Sequence, residues 1–195
     1  MKTKHLDVGC GNDPRNPFNQ DSLHGVDIIN QKIDVNFYYK KVNIILEGLP
    51  YENSYFDSIS AYDFIEHIPR FAIIDSHTTF PFINFMNEAY RVLKPGGVFY
   101  AITPCYPRME AFTDPTHVNF ITKKTHTYFT FPNLAGSMYG FNGKFRVIKV
   151  KKVKASQVGK EGRLWIIRLL KDVLYSILYI KKSHIIWKFE AIKEW

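Results

Sequence analysis

Leu6-Asp7-Val8-Gly9-Cys10-Gly11-Asn12-Asp13-Pro14, almost at the start of the 195-residue chain, is the stretch whose reading decides the fold. Lys4 to Val8, with Leu6 and Val8 apolar at alternate positions, reads as a short buried strand, and it runs straight into two glycines bracketing Cys10. Without a Cβ the backbone can turn sharply there and approach a ligand closely. Gly-x-Gly alone marks no more than a tight turn after a strand. Its weight comes from residues further along the chain.

Downstream, Pro14, Asn16, Pro17 and Asn19 interrupt any helical pattern, leaving Phe18 to Leu23 room for about one turn before a second strand, His24 to Ile29. A dinucleotide-binding unit fills this gap with a full helix whose N-terminus faces the pyrophosphate. Its near absence argues against a phosphate-rich cofactor. Asp27, at the end of the second strand, stands where a carboxylate accepts hydrogen bonds from ribose hydroxyls; its plainer role is that of a turn residue.

Val42 to Leu46 reads as a strand and Gly48-Leu49-Pro50 as a loop, while Phe56 to Tyr62 reads as a buried central strand that leads into Asp63-Phe64-Ile65-Glu66-His67. Phe82, Phe85, Met86, Ala89 and Leu93 recur at helical spacing, and Lys94-Pro95-Gly96-Gly97 closes that helix. Val98 to Thr103 is the next strand. Alternating strands and helices predict an α/β fold whose parallel sheet meets ligands at its carboxyl edge. Residues 104–135 form a long loop and helix facing the substrate, and they carry Asp114-Pro115-Thr116-His117. Phe145 to Lys154 and Ser183 to Lys193 pair as antiparallel edge strands.

An amphipathic helical insertion, 155–183, separates these last two strands. Over Arg163 to Lys182 one narrow arc is polar and the remainder apolar. Charges in its middle argue against a membrane span. The wide apolar arc fits core or homodimer packing, a lid over the site, or contact with a membrane surface.

Length and a hydrophobic content of 46% predict a single domain, 1–195, with a sizeable core. Met1 to His5 shows no secretion-leader pattern, and two cysteines suit a reducing cytoplasm. The net charge of +8 is uneven: residues 1–143 balance at −2 and residues 144–195 at +10. The basic quarter is either a solvated face or a surface for anionic lipid or nucleic acid.

Taken together, Leu6-Asp7-Val8-Gly9-Cys10-Gly11, Gly25-Val26-Asp27, Leu49-Pro50 with Phe56-Asp57, Glu66-His67 and Arg91-Val92-Leu93-Lys94-Pro95-Gly96-Gly97 make the chain resemble the class I S-adenosylmethionine-dependent methyltransferases over roughly residues 4–103. The resemblance implies a Rossmann-like, seven-stranded, mostly parallel sheet with its last strand antiparallel, here with a truncated first helix. It implies that Gly9, Cys10 and Gly11 cradle the methionine end of the cofactor, with Asp7 beside them. Asp27 and Ile28 would meet the ribose, Leu46 and Glu47 the adenine, and Asp63 and Phe64 the methionine amino group. Asn12-Asp13 replaces the usual third glycine, and apolar Ile45 stands where an acidic residue is expected, so the cofactor cleft should be more open.

Methyl transfer from a sulfonium is an in-line displacement, and an oxygen acceptor must also lose its proton. Asp63, Glu66 and His67, joined by His117 from the loop, resemble the Glu-x-x-Glu-His ligand set of metal-assisted O-methyltransferases. Mg²⁺, Mn²⁺ or Zn²⁺ would suit it. A metal-free site with His117 as general base and Glu66-His67 as support is the other reading. The Asn/Asp-Pro-Pro-aromatic motif of DNA amino-methyltransferases is missing after the central strand. The expectation is a cytoplasmic methyltransferase, peripheral at the inner membrane surface if 163–182 contacts lipid. Its acceptor would be a hydroxyl on a small molecule, a glycan or a lipid-linked substrate. The alternatives are an RNA methyltransferase using the basic C-terminal region, or a cofactor-binding protein without catalysis.

Overall fold

The structure, a computed structural model, describes residues 2–30, 37–155 and 182–193. The predicted amphipathic helix at 163–182 lies, apart from Lys182, outside them. β1 (Lys4–Val8), β2 (Ser22–Asp27), β3 (Tyr38–Lys41) and β4 (Phe56–Tyr62) precede a small hairpin of β5 (Ala72–Ile74) and β6 (His77–Thr79). β7 (Leu93–Pro104), β8 (Phe145–Val153) and β9 (His184–Ala191) complete the strands.

Seven strands form one sheet in the order β3-β2-β1-β4-β7-β9-β8, parallel throughout except for β9, which runs antiparallel to both β7 and β8. From β1 the chain winds outward to β2 and β3, then crosses back to β4 and β7. The crevice at this reversal, beyond the carboxyl ends of β1 and β4, is where open α/β sheets take their ligands. Because β9 is antiparallel, its first residue, His184, pairs with Pro104 and reaches the same edge.

A short helix, α1 (Ile44–Glu47), lies between β3 and β4, and a longer one, α2 (Pro81–Val92), between β6 and β7. Helix α2 packs one face on the sheet, burying Phe82, Phe85, Met86, Ala89 and Val92 against a core that includes Phe99, Trp187 and Phe189. Those positions recur at helical spacing, so burial rather than propensity fixes the element. On the opposite face of the sheet a smaller cluster gathers Tyr62, Tyr100, Ile102, Val153 and Ile186.

Four local expectations fail. The first is that Leu93 belongs to the helix, which ends at Val92, with Leu93 and Lys94-Pro95-Gly96-Gly97 opening β7 instead. Val42 to Leu46 is not a strand: β3 lies earlier, and α1 occupies most of that run. Asn43 Oδ1 accepts from the Ile45 backbone N–H at 3.2 Å, and Glu47 Oε1 accepts from that of Asn43 at 2.8 Å. This reciprocal cap favours a helical turn over a strand. The first crossover holds no helical turn at Phe18 to Leu23; the Asn16 side chain instead bonds both the N–H and the C=O of Gln20. The second strand stops at Asp27, leaving Ile28 and Ile29 exposed beyond it.

Candidate active site

Gly9 and Gly11, at the end of β1, both adopt positive φ, +65° and +54°. A side chain at Gly9 would put its Cβ 2.3 Å from the ring of Phe64, so Phe64 lies against the turn only because Gly9 is glycine. A Cβ at Gly11 would meet nothing within 4 Å among the described residues, so that side of the loop faces open space there. The Gly9 and Cys10 amides both donate to Val26 O, and Gly11 N donates to Asp27 Oδ2 at 2.9 Å. The glycine turn after β1 and the aspartate at the end of β2 are thus joined directly.

Asp27 Oδ1 also accepts from Ile29 N at 3.2 Å, and each oxygen keeps lone-pair capacity for a further donor such as a ribose hydroxyl. Around it Ile28, Ile29 and Leu46 are exposed apolar side chains. Open space beside the glycines, a half-buried carboxylate and bare apolar groups together suit an adenosyl ligand. Glu47 is held by its cap on α1, and Asp7 is held inside the protein. Asp7 Oδ2 accepts from Arg15 N at 2.8 Å and Oδ1 from Ser60 Oγ at 2.5 Å. Burial pushes the Asp7 carboxyl up to about 6. Its part is to fix the loop that follows Gly11.

Behind Asp7 runs a relay that no spacing in the sequence reveals. His5 lies between Ser58, 2.7 Å from Nδ1, and Ser60, 2.8 Å from Nε2. Since the Ser60 hydroxyl hydrogen goes to Asp7, His5 must donate from Nε2 and accept at Nδ1. Burial holds the imidazole neutral, with its pKa down to about 3.

Beyond β4 the chain turns at Asp63, whose φ is +46°, and a single 3-10 turn, Ile65–His67, follows. Glu66 is buried; its Oε2 accepts from Thr103 Oγ1 at 2.9 Å, whereas Oε1 has no hydrogen-bond partner among the described residues. His117 Nε2 is 4.0 Å from that Oε1, and His117 Nδ1 is also buried without a partner among the described residues. Burial raises the Glu66 carboxyl to about 7.

The His67 ring stands edge-on to that of His117, with centroids 4.8 Å apart. Thr116 Oγ1 donates to Asp114 Oδ1 at 2.6 Å and sits 2.9 Å from His67 Nδ1. Thr116 therefore accepts from Nδ1–H, which leaves the lone pair of His67 on Nε2. Val118 N and Asn119 N both donate to Glu66 O, pinning the 117–119 strap over the 3-10 turn.

Glu66, His67 and His117 present ligand atoms within 4.8 Å of one another. Asp63 is not in this group, which corrects the four-ligand expectation. Its positive φ swings the carboxylate toward His184, whose Nε2 is 3.4 Å from Asp63 Oδ1. Thr103, Thr116 and His184 join the site without having been expected from the sequence. Thr103 ends a recognisable strand and Thr116 stands beside His117, but nothing local marks His184.

Next to this cluster the α2 N-terminus and residues 119–139 form a half-open cavity of about 450 Å³, lined by Phe80, Phe82, Tyr128, Phe129, Tyr139 and Arg70 among others.

Residues 6–101 match the model of a family described as a methyltransferase domain. Among solved structures, a SAM-dependent methyltransferase from Archaeoglobus fulgidus is 17% identical, with 98% of this chain and 86% of that one covered and a TM-score of 0.55. The [4+2]-cyclase SpnF is 16% identical over 99% of this chain and 76% of its own, with a TM-score of 0.57. Phosphoethanolamine N-methyltransferase 2 of Haemonchus contortus, solved with S-adenosyl-L-methionine, is 16% identical at a TM-score of 0.51; all of this chain aligns, to 50% of that one. Against curated protein sequences nothing matches. Likeness at these identities speaks for the fold, which carries more than one chemistry, so the reaction has to be read from the site.

Proposed function

Because the chain belongs to the class I S-adenosylmethionine-dependent methyltransferases, we propose that it methylates a hydroxyl oxygen of a small-molecule, glycan or lipid-linked acceptor. One observation carries this reading: the buried, unpartnered Oε1 of Glu66 facing His117 at 4.0 Å, on a carboxyl that titrates near 7. Amine acceptors attack through a lone pair they already have. A hydroxyl has to shed its proton as it attacks, and a base whose pKa lies near neutrality is the group matched to that task.

When bound, the cofactor supplies an electrophilic methyl group on a sulfonium. Gly9, Gly11 and Asp27 would hold its methionine and ribose parts, beside Ile28, Ile29 and Leu46. The acceptor hydroxyl would donate to Glu66 Oε1 or to a nitrogen of His117, and its proton moves there as the oxygen attacks. Thr103 holds the far oxygen of Glu66, so the near one cannot rotate away. Asp114 and Thr116 fix the tautomer of His67. Positioning supplies the rest.

Supporting a lipid-linked acceptor, Phe71, Ile73, Met109, Phe112 and Phe120 are all exposed around this end of the molecule. A second reading places a divalent metal on Glu66, His67 and His117 as a Lewis acid. The two unpartnered buried atoms of that trio favour it.

Transfer of a labelled methyl group to a panel of phenols, sugars and hydroxylated lipids tests the proposal, with and without chelator. Label on oxygen is the expected result. Label on nitrogen or carbon overturns it. Turnover that vanishes with chelator and returns with added Mg²⁺, Mn²⁺ or Zn²⁺ selects the metal reading.

A further inference from the structure

We propose that the aromatic cavity beside the catalytic cluster seats the body of the acceptor, and that Arg70 receives an anionic group on it. The acceptor is then a hydroxylated aromatic acid. This rests on the hydroxyl-methylation reading and gives its substrate a chemical class.

Size and lining come first. About 450 Å³ is within the usual range of small-molecule sites, roughly 300–1,000 Å³. The walls are mostly rings, and they meet each other edge to face: Phe82 with Phe129 at 5.2 Å and 84°, Phe80 with Tyr139 at 5.4 Å and 63°. Such walls offer both ring faces and ring edges, so a flat aromatic guest gains quadrupole contacts beyond simple burial.

Charge comes second. Arg70 is the one charged residue among those lining the cavity, and no carboxylate lines it among the described residues. Its guanidinium is fixed on one side only. Nε donates to Asn119 Oδ1 at 3.0 Å, and Nη2 donates to Phe120 O. Asn119 is buried and anchored in turn by a bond from Nδ2 to Ile65 O at 3.0 Å. Nη1 has no acceptor among the described residues. A guanidinium held in a fixed plane, with an open edge beside an apolar cavity, is built to take a carboxylate, phosphate or sulfonate.

Proximity to the chemistry comes third. Asn119, a wall residue, is two positions from His117, and its amide and that of Val118 both bond Glu66 O. One strap therefore links the cavity wall to both members of the proton-accepting pair. Of that strap, Asn119 lines the cavity, so an acceptor seated against Asn119 would lie two positions along the chain from His117.

The test measures binding of 6-hydroxy-2-naphthoate and of the uncharged 2-naphthol to the full chain saturated with S-adenosylhomocysteine, by calorimetry. The acid is expected to bind one-to-one and about tenfold more tightly than the naphthol, the worth of a charge-assisted contact. Arg70→Met should cost the acid about tenfold and leave the naphthol unchanged; Arg70→Lys should fall between. Tyr139→Ala should weaken both probes. S-adenosylhomocysteine affinity is the check on folding and should hold in every variant.

Failure of the acid to bind overturns the proposal, as does equal affinity for the two probes in the native protein. The second comparison stands even if Arg70→Met fails to fold. The readout needs no turnover, so a methyl group found on nitrogen would remove the hydroxyl reading and leave this binding result intact.

Discussion

The two ends of the ligand crevice differ in how fully their polar atoms are satisfied. At the β1–β2 end the groups that shape the glycine turn bond to the protein, while His24 Nδ1 within β2 has no partner among the described residues. Asp7 is held by Arg15 and Ser60, Asp27 by Gly11 and Ile29, and His5 by two serines. Beyond β4 and β7, Glu66 Oε1 and His117 Nδ1 are left without partners among the described residues, although burial makes an unmet polar atom cost about 1–3 kcal/mol. The first end is a finished mould, rigid before any ligand arrives. The second tolerates unmet hydrogen-bonding capacity, which the proposed proton-accepting role of Glu66 and His117 would use.

The largest effect expected on this contrast is at the mould. Gly9→Ala combines a positive φ with a Cβ 2.3 Å from Phe64, so the turn or the ring must move. Strain of this kind is worth about 1–3 kcal/mol, and affinity for S-adenosylhomocysteine should drop by about a hundredfold in calorimetry. Gly11→Ala meets open space and keeps only its backbone strain, so about tenfold is expected there. Equal losses at both positions would show that Phe64 yields freely and that the mould is soft.

At the reactive end the expected signature is in rate and pH. Glu66→Gln should lower kcat by about a hundredfold or more, the usual contribution of a positioned proton acceptor, with cofactor affinity unchanged. The carboxylate is the active form, and burial raises its pKa to about 7. Native kcat/KM should therefore fall about tenfold per pH unit on the acid side of neutrality, and Glu66→Gln should lose that limb. An unaltered pH profile in the variant would move the base elsewhere in the cluster.

The finished end is also the more legible one in the sequence, for a physical reason. β1 and β4 show as short segments with apolar residues such as Leu6 and Val8 or Ile59 and Ala61 at alternate positions, ending at glycine or acid, and α2 shows in its helical spacing, since burial writes itself into local pattern. Gly9, Gly11 and Asp27 sit at strand ends, so locating the strands locates them. Residues 42–46 mislead because a short apolar run does not distinguish strand from helix; the Asn43–Glu47 cap decides it. Glu66, His67 and His117 are recognisable by residue type, yet their closeness comes from the strap at 117–119. Asp63 departs from the expected ligand set because the chain changes direction there. The His5–Ser60–Asp7 relay depends on the register between β1 and β4, and the Asp63–His184 contact on where an antiparallel strand begins. Neither is a local property of sequence.

The smallest expected effect concerns Glu47, where the cofactor-contact reading and the structure point to different roles. Its Oε1 accepts from Asn43 N at 2.8 Å, closing the first turn of a four-residue helix at an exposed edge. A carboxylate in that place is a cap, worth about 1 kcal/mol, and for a chain of this length such a loss lowers Tm by roughly 2–4 °C. Glu47→Ala should show that shift in thermal unfolding and leave S-adenosylhomocysteine affinity within about twofold. The exposed apolar groups Ile28, Ile29 and Leu46 would still supply the surface for the adenine. The reverse pattern, an unchanged Tm with affinity down about tenfold, would return Glu47 to the adenine and extend the mould by one residue beyond Leu46.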